Sequence, residues 1–302
     1  MIKSWKDFQG FIYKECGKSN KYIDTIFTFD IETTSVYILN GVVYPAFNYK
    51  DLSQDEKDSC DFYGFMYIWQ LGINDQVYYG RTWQELHDFL SIIESYTKGM
   101  KKYFFVHNLS FEFQFLKGEF NFKNVTARNT RHVMTAQFTD YNIEFHCTYM
   151  MSNISLAKLA DVYHLPVEKK SGDLDYDKIR TSDTILTDTE LGYCEFDCLV
   201  VYYYILFELE TYKELTKIPI TYTGHVRKEL RKIVSNDWQY KGIVKKAINT
   251  DPHIYNLLIQ AFMGGYTHAN MYYSNRIIPD VDSYDFTSSY PYVMVSEKYP
   301  RR

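Results

Sequence analysis

The segment Thr28-Phe29-Asp30-Ile31-Glu32-Thr33-Thr34 closes a run from Ile23 that is rich in Ile, Phe and Thr. This alternation predicts a strand. Side chains repeat every two residues along a strand, so Asp30 and Glu32 share one face. They stand where the strand is expected to end, before the polar Thr33-Thr34-Ser35. Two carboxylates on one face repel unless a cation lies between them, and oxygen-only donors suit Mg²⁺ or Mn²⁺ rather than zinc. Taken alone, such a pair is far more often a solvated acidic strand end than a metal site.

Two further acidic clusters follow in order. Val106-His107-Asn108-Leu109-Ser110-Phe111-Glu112 places Glu112 after a strand expected over Tyr103–His107, near the start of a helix. Asn108 is suited to hydrogen-bond the backbone at that junction. Tyr193-Cys194-Glu195-Phe196-Asp197 lies on a long helix expected over Thr189–Tyr212, started by Thr187-Asp188-Thr189-Glu190. Tyr193 and Asp197, four apart, share a helical face. Together the clusters supply the donors for two divalent ions, which roughly 3.5–4 Å apart catalyse in-line hydrolysis of a phosphodiester.

The order Asp-x-Glu, Asn-x-x-x-acid, Tyr-x-x-x-Asp resembles the three exonuclease motifs of family B DNA polymerases, in the protein-primed branch found in phages, viruses and linear plasmids. Lys169-Lys170-Ser171-Gly172-Asp173-Leu174-Asp175-Tyr176 resembles that branch's lysine-bearing segment. Met263-Gly264-Gly265-Tyr266-Thr267 resembles its glycine-pair motif, and Tyr284-Asp285-Phe286-Thr287-Ser288-Ser289-Tyr290-Pro291 is similar to polymerase motif A. The resemblance implies Asp30, Glu32, Glu112 and Asp197 as metal ligands with two Mg²⁺ or Mn²⁺ ions, Tyr193 orienting water, and Lys170 (or Lys169) neutralising the scissile phosphate. It implies Thr33, His107, Asn108, Phe111, Gly264 and Gly265 as DNA contacts. Asp285 would hold the polymerase metals, with Ser288 and Tyr290 at the nucleotide and Pro291 in a turn leaving a strand. DNA, a terminal protein and the remainder of the polymerase are the implied partners. Two departures stand out: Glu112 where the family usually has Asp, which moves the carboxylate by roughly a bond length, and Ser289 where it usually has Leu.

The expected fold is α/β, a ribonuclease-H-like 3′-5′ exonuclease domain over residues 1–212 followed by an incomplete family B palm region over 213–302. Little sequence follows motif A, so the exonuclease site is expected to be complete and the polymerase site incomplete. The chain of 302 residues carries a net charge of −5, unusual for a nucleic-acid protein. From Lys213 to Lys246, however, nine basic residues face three acidic ones. Arg227, Lys228, Arg231 and Lys232 recur at helical spacing and form either a phosphate-tracking face or an ordinary solvated one. Five cysteines show no zinc spacing, and Cys194 and Cys198 read as packing residues. The 30 Tyr and 21 Phe are expected of any gene with AT-rich codons and are not by themselves a base-stacking signal. There is no secretory signal and no membrane-length apolar run, so an intracellular protein is expected, in the host cytoplasm for a phage product. Two rival readings are a stand-alone nuclease acting on single-stranded DNA or RNA, and a non-catalytic DNA- or terminal-protein-binding module.

Overall fold

The computed structural model describes residues 1–129, 132–167, 175, 177–247, 251–261 and 270–298. Its strands are β1 (Lys3–Ser4), β2 (Glu15–Cys16), β3 (Tyr22–Ile23), β4 (Phe27–Leu39), β5 (Val42–Pro45), β6 (Asp61–Ile73), β7 (Gln76–Gly80), β8 (Lys102–Val106), β9 (Phe122–Ala127), β10 (Val133–Phe138) and β11 (Ile143–Cys147). Its α-helices are α1 (Gln54–Ser59), α2 (Trp83–Thr97), α3 (Leu109–Glu119), α4 (Thr148–Ser152), α5 (Leu156–Val162), α6 (Asp188–Tyr212), α7 (Tyr222–Asn236), α8 (Trp238–Ala247), α9 (Pro252–Ala261) and α10 (Ser289–Ser296). The chain divides into two compact units, Met1–Lys228 and Glu229–Arg302.

In the first unit one mixed sheet runs in the order β1-β7-β6-β4-β8-β11-β10-β9, with β5 paired to β4. Strands β4, β6 and β7 form an antiparallel meander, while β8 lies parallel to β4 and β11 parallel to β8. This is the ribonuclease-H-like α/β arrangement. The two-residue turn Asn74-Asp75 joins β6 to β7, with Asn74 in the left-handed region at φ 54°, where asparagine is tolerated better than most residues. Asn74 also fixes the start of β4: its amide N–H donates to the Ile26 carbonyl at 2.8 Å, and its side-chain oxygen accepts from the Ile26 N–H at 3.1 Å.

The sheet is covered on both faces, and the alternation of β4 sorts its residues between them. Phe27, Phe29 and Ile31 join Trp69 and Leu71 of β6, Phe89 and Ile93 of α2 and Leu116 of α3 in the larger core. On the other face α6 packs through Val200, Val201, Tyr204 and Ile205, and through Cys194 and Cys198. Thr28 belongs to this second face: its hydroxyl lies over Gly72, where Cys198 also approaches. Asp30 and Glu32, in step with Thr28, therefore face α6. Capping boxes begin both major helices, Thr82 with Glu85 for α2 and Thr187 with Glu190 for α6.

Three expectations are corrected. Strand β4 does not end at Glu32 but continues to Leu39, because the β-branched and aromatic Thr33, Thr34, Val36, Tyr37 and Ile38 pair with β6 and β5. The register shifts after Glu32, which pairs with Ile68 while Thr33 pairs with Met66, leaving Tyr67 as the extra residue on β6. Asn108 makes no side-chain hydrogen bond at the start of α3; its contribution is a left-handed φ of 64°. Pro291 is not in a turn leaving a strand but in the first turn of α10, where a missing N–H costs nothing.

Gly80 faces Trp69, and a Cβ there would lie 2.3 Å from the ring. Trp69 is fully buried, donates its indole N–H to the Thr82 carbonyl at 2.9 Å and stacks near Phe89, so the ring has nowhere to go. Gly80→Ala should lower the unfolding free energy by about 1–3 kcal/mol, as measured by urea denaturation. A midpoint equal to wild type would show that the ring yields.

Candidate metal centre

Asp30 and Glu32 come from β4, Asp197 from α6 and Glu112 from the first turn of α3. One carboxylate oxygen from each of Asp30, Glu32 and Asp197 lies within 4.8 Å of the other two. Glu112 adjoins Asp30, near enough for the Asp30 charge to push its carboxyl up. Three sequence clusters, separated by about eighty residues each, thus meet at one point between the sheet and α6. Tyr193, part-buried, stands one turn before Asp197.

The centre is electrostatically costly. Burial pushes the Asp30 carboxyl up to about 7. Burial, then Asp30 and Asp197, push Glu32 well above the usual carboxylate range, while Arg180 pulls it back. Glu112 rises through burial and through Asp30. Oδ2 of Asp30 and Oε2 of Glu112 are closed off from solvent without a hydrogen-bond partner. Buried acceptors without donors are rare, and a carboxylate-only donor set suits a hard divalent cation. The residues present therefore fit the expected Mg²⁺ or Mn²⁺.

The other expected residues are distributed as follows. His107 is held by a 3.1 Å contact between Nδ1 and the Thr148 hydroxyl, and burial lowers it to about 4, so it is neutral at pH 7. Phe111 is exposed beside Phe115, at 5.3 Å between ring centroids. Thr33 is part-buried on β4, and Asn108 is exposed. Lys169, Lys170, Gly264 and Gly265 lie outside the described residues. In the second unit, Asp285 lies in an irregular segment, Ser288 is the residue before α10 with φ 54°, and Tyr290 sits in its first turn; all three are exposed. Arg227, Lys228, Arg231 and Lys232 are exposed on α7. Cys194 and Cys198 are buried free thiols raised by burial.

Two residues were not expected. Gln70 is the cross-strand partner of Asp30, fully buried, and neither amide atom has a hydrogen-bond partner. Arg180 is buried in contact with Glu190. No local pattern marks either residue, since both acquire their setting from tertiary packing.

No protein-family model matches the chain, and no curated protein matches it in sequence. Solved structures do. Phi29 DNA polymerase in a ternary complex with primer-template DNA and incoming nucleotides has a TM-score of 0.55 at 14% identity, over 84% of this chain and 41% of that one. The same polymerase with single-stranded DNA gives 0.55 and 14%, over 84% and 42%. Its orthorhombic crystal form gives 0.53 and 14%, over 83% and 41%. The chain thus spans about two fifths of the length of the polymerase it matches, and the likeness is one of fold. Among the described residues no helix is long and apolar enough to cross a membrane.

A carboxyl raised by folding binds its proton more tightly in the folded chain, so it costs stability as pH climbs from the ordinary carboxylate range near 4 toward 7. Without metal, Asp30→Asn should therefore be more stable than wild type at pH 8, by about 4 kcal/mol, and no more stable at pH 4.5. Mn²⁺ should reverse the order at pH 8 by stabilising wild type alone. Calorimetry at both pH values, with and without Mn²⁺, checks this; a pH-independent difference would contradict the electrostatic account.

Proposed function

We propose that the chain is the proofreading part, and the beginning of the polymerase part, of a protein-primed family B DNA polymerase, shortening primer strands from the 3′ end. The convergence of Asp30, Glu32, Glu112 and Asp197 carries this reading: residues quoted from three distant motifs meet as one buried acidic centre. The polymerase-like fold supports it. Residues 1–212 are assigned to the exonuclease domain and 213–302 to the start of the polymerase domain.

Asp30, Glu32 and Asp197 would hold the catalytic ion, with Asp30 and Glu112 serving a second; Mg²⁺ or Mn²⁺ would supply Lewis acidity toward the scissile phosphate and its attacking water. Tyr193 offers a phenol one helical turn from Asp197 to orient that water by hydrogen bonding. Phe111, exposed at the head of α3, offers a face on which a frayed base stacks. His107, neutral at pH 7, serves by shape and hydrogen bonding rather than as a cation. Lys170 is assigned the scissile phosphate, and Thr33, Asn108, Gly264 and Gly265 are assigned DNA contacts on the motif resemblance alone. On the same ground Asp285 is assigned to the polymerase metals and Ser288 and Tyr290 to the incoming nucleotide. DNA, a terminal protein and the rest of the polymerase are the proposed partners, and the host cytoplasm the proposed location.

Degradation of a 5′-labelled single strand with Mg²⁺ tests the reading. Asp30→Ala and Asp197→Ala should each slow it by about three powers of ten or more, the equivalent of about 4 kcal/mol. Rates equal to wild type would sink the assignment.

The longer acid in the second motif has its own test. Glu112→Gln should lose most activity while keeping single-strand binding, and Glu112→Asp should stay active. A fully active Glu112→Gln would place that carboxylate outside the chemistry.

A further inference from the structure

Arg180 is 3% exposed and spends its donors on three different segments. Its backbone N–H donates to the Thr34 hydroxyl at 3.1 Å. Its Nε and Nη2 both donate to Oε1 of Glu190, at 2.9 and 2.6 Å. Nη1 reaches the carbonyls of Asp175 at 2.6 Å and Lys178 at 3.3 Å. Arg81 braces the same segment, with Nη2 on the Thr181 carbonyl at 2.8 Å and Nε on the Tyr67 carbonyl at 2.7 Å.

The two ends of this tether are placed with respect to the acidic centre. Thr34 lies two residues beyond Glu32 and on the same face of β4. Glu190 lies two helical turns before Asp197 and on the same face of α6, and its second oxygen, Oε2, closes the cap of that helix on the Thr187 N–H at 2.7 Å. A continuous path therefore runs from Glu32 through Thr34, Arg180 and Glu190 to Asp197, joining the strand and the helix that supply facing carboxylates. Those carboxylates repel across the gap, and a planar fork of fixed donors resists the spreading better than a point charge on a flexible stem.

We propose that Arg180 is a positioning residue of the acidic centre, holding β4 and α6 at the separation at which Glu32 and Asp197 bind one divalent ion. The proposal rests on the reading of that centre as a metal site and adds what sets its affinity. Partners that orient ligands without touching the metal contribute about 10–100-fold in affinity. Arg180→Met should therefore weaken Mn²⁺ binding by about that much, and Arg180→Lys, which keeps the charge but not the fork, by roughly threefold to tenfold.

The test is calorimetric titration of the full chain with MnCl₂ at pH 7.5, beside degradation of a labelled single strand over a range of Mn²⁺ concentrations. The expected result is a raised dissociation constant in both variants and a matching rise in the Mn²⁺ needed for half-maximal rate. Saturating metal should restore most of the rate to Arg180→Lys. A folded Arg180→Met that binds Mn²⁺ as tightly as wild type overturns the proposal; should that variant not fold, an unshifted Arg180→Lys does so. Wild type that binds Mn²⁺ but leaves DNA intact would sink the nuclease reading and leave this one standing. Wild type that takes up no Mn²⁺ would sink both.

Discussion

Mutual repulsion among four carboxylates, brought together where water has little access, is the constraint on which the rest of this structure depends. Asp30, Glu32, Glu112 and Asp197 would each be more comfortable in solvent, and together they work against the packing of α3 and α6 on the sheet. The opposing attraction is apolar. β4 devotes alternate positions to Phe27, Phe29 and Ile31 in the larger core, so the strand that carries the repulsive pair is gripped from its other side. Helix α6 does the same with Val200, Val201, Tyr204 and Ile205 placed beyond the acidic turn. The centre is thus built into the seam between two hydrophobic layers, and its cost falls on elements with packing to spare.

That division explains which parts of the molecule the sequence disclosed. The strands and the long helices announce themselves because their periodicity is a direct consequence of burial on one face. The acidic motifs are legible through their order and spacing along the chain, because a carboxylate at a strand end or on a helix is common by itself. The continuation of β4 past Glu32 was hidden by polarity: Thr33-Thr34-Ser35 looks like a strand end, and only pairing with β6 across the irregularity at Tyr67 shows that it is not. A proline after a tyrosine fits a turn as well as the first turn of a helix, so the pattern at Pro291 does not distinguish the two. Gln70 and Arg180 could not have been found by pattern. Their importance lies in what they face, and a buried glutamine or arginine has no local signature.

The fold and the chemistry rest on different features of the chain. A backbone likeness at 14% identity fixes an architecture, and many activities share this one. What distinguishes this chain is the placement of acids on it, including an oxygen of Asp30 and one of Glu112 with no donor to meet. In the second unit the acid, hydroxyl and aromatic groups of Asp285, Ser288 and Tyr290 sit within six residues at the entrance to a helix. Their assignment to a nucleotide and metal site rests on the sequence pattern alone.

The irregularity at Tyr67 has a bearing on how the protein tolerates change in length. The ladder from Phe27 to Glu32 is registered from its opposite end, by the tight turn at Asn74-Asp75 and the two hydrogen bonds that fasten Asn74 to Ile26. Beyond the break β4, β5 and β6 continue as a paired extension of the sheet, from Thr33 opposite Met66 to the segment between Pro45 and Asp61 that closes it. A residue gained or lost at the tip of that extension, between Ala46 and Cys60, lies outside the ladder and leaves the facing of Asp30, Glu32 and Thr34 as it was. That tip is therefore the natural place for insertion, deletion or the grafting of a new binding loop, while one residue added between Phe27 and Asp30 would turn both acids into the wrong layer.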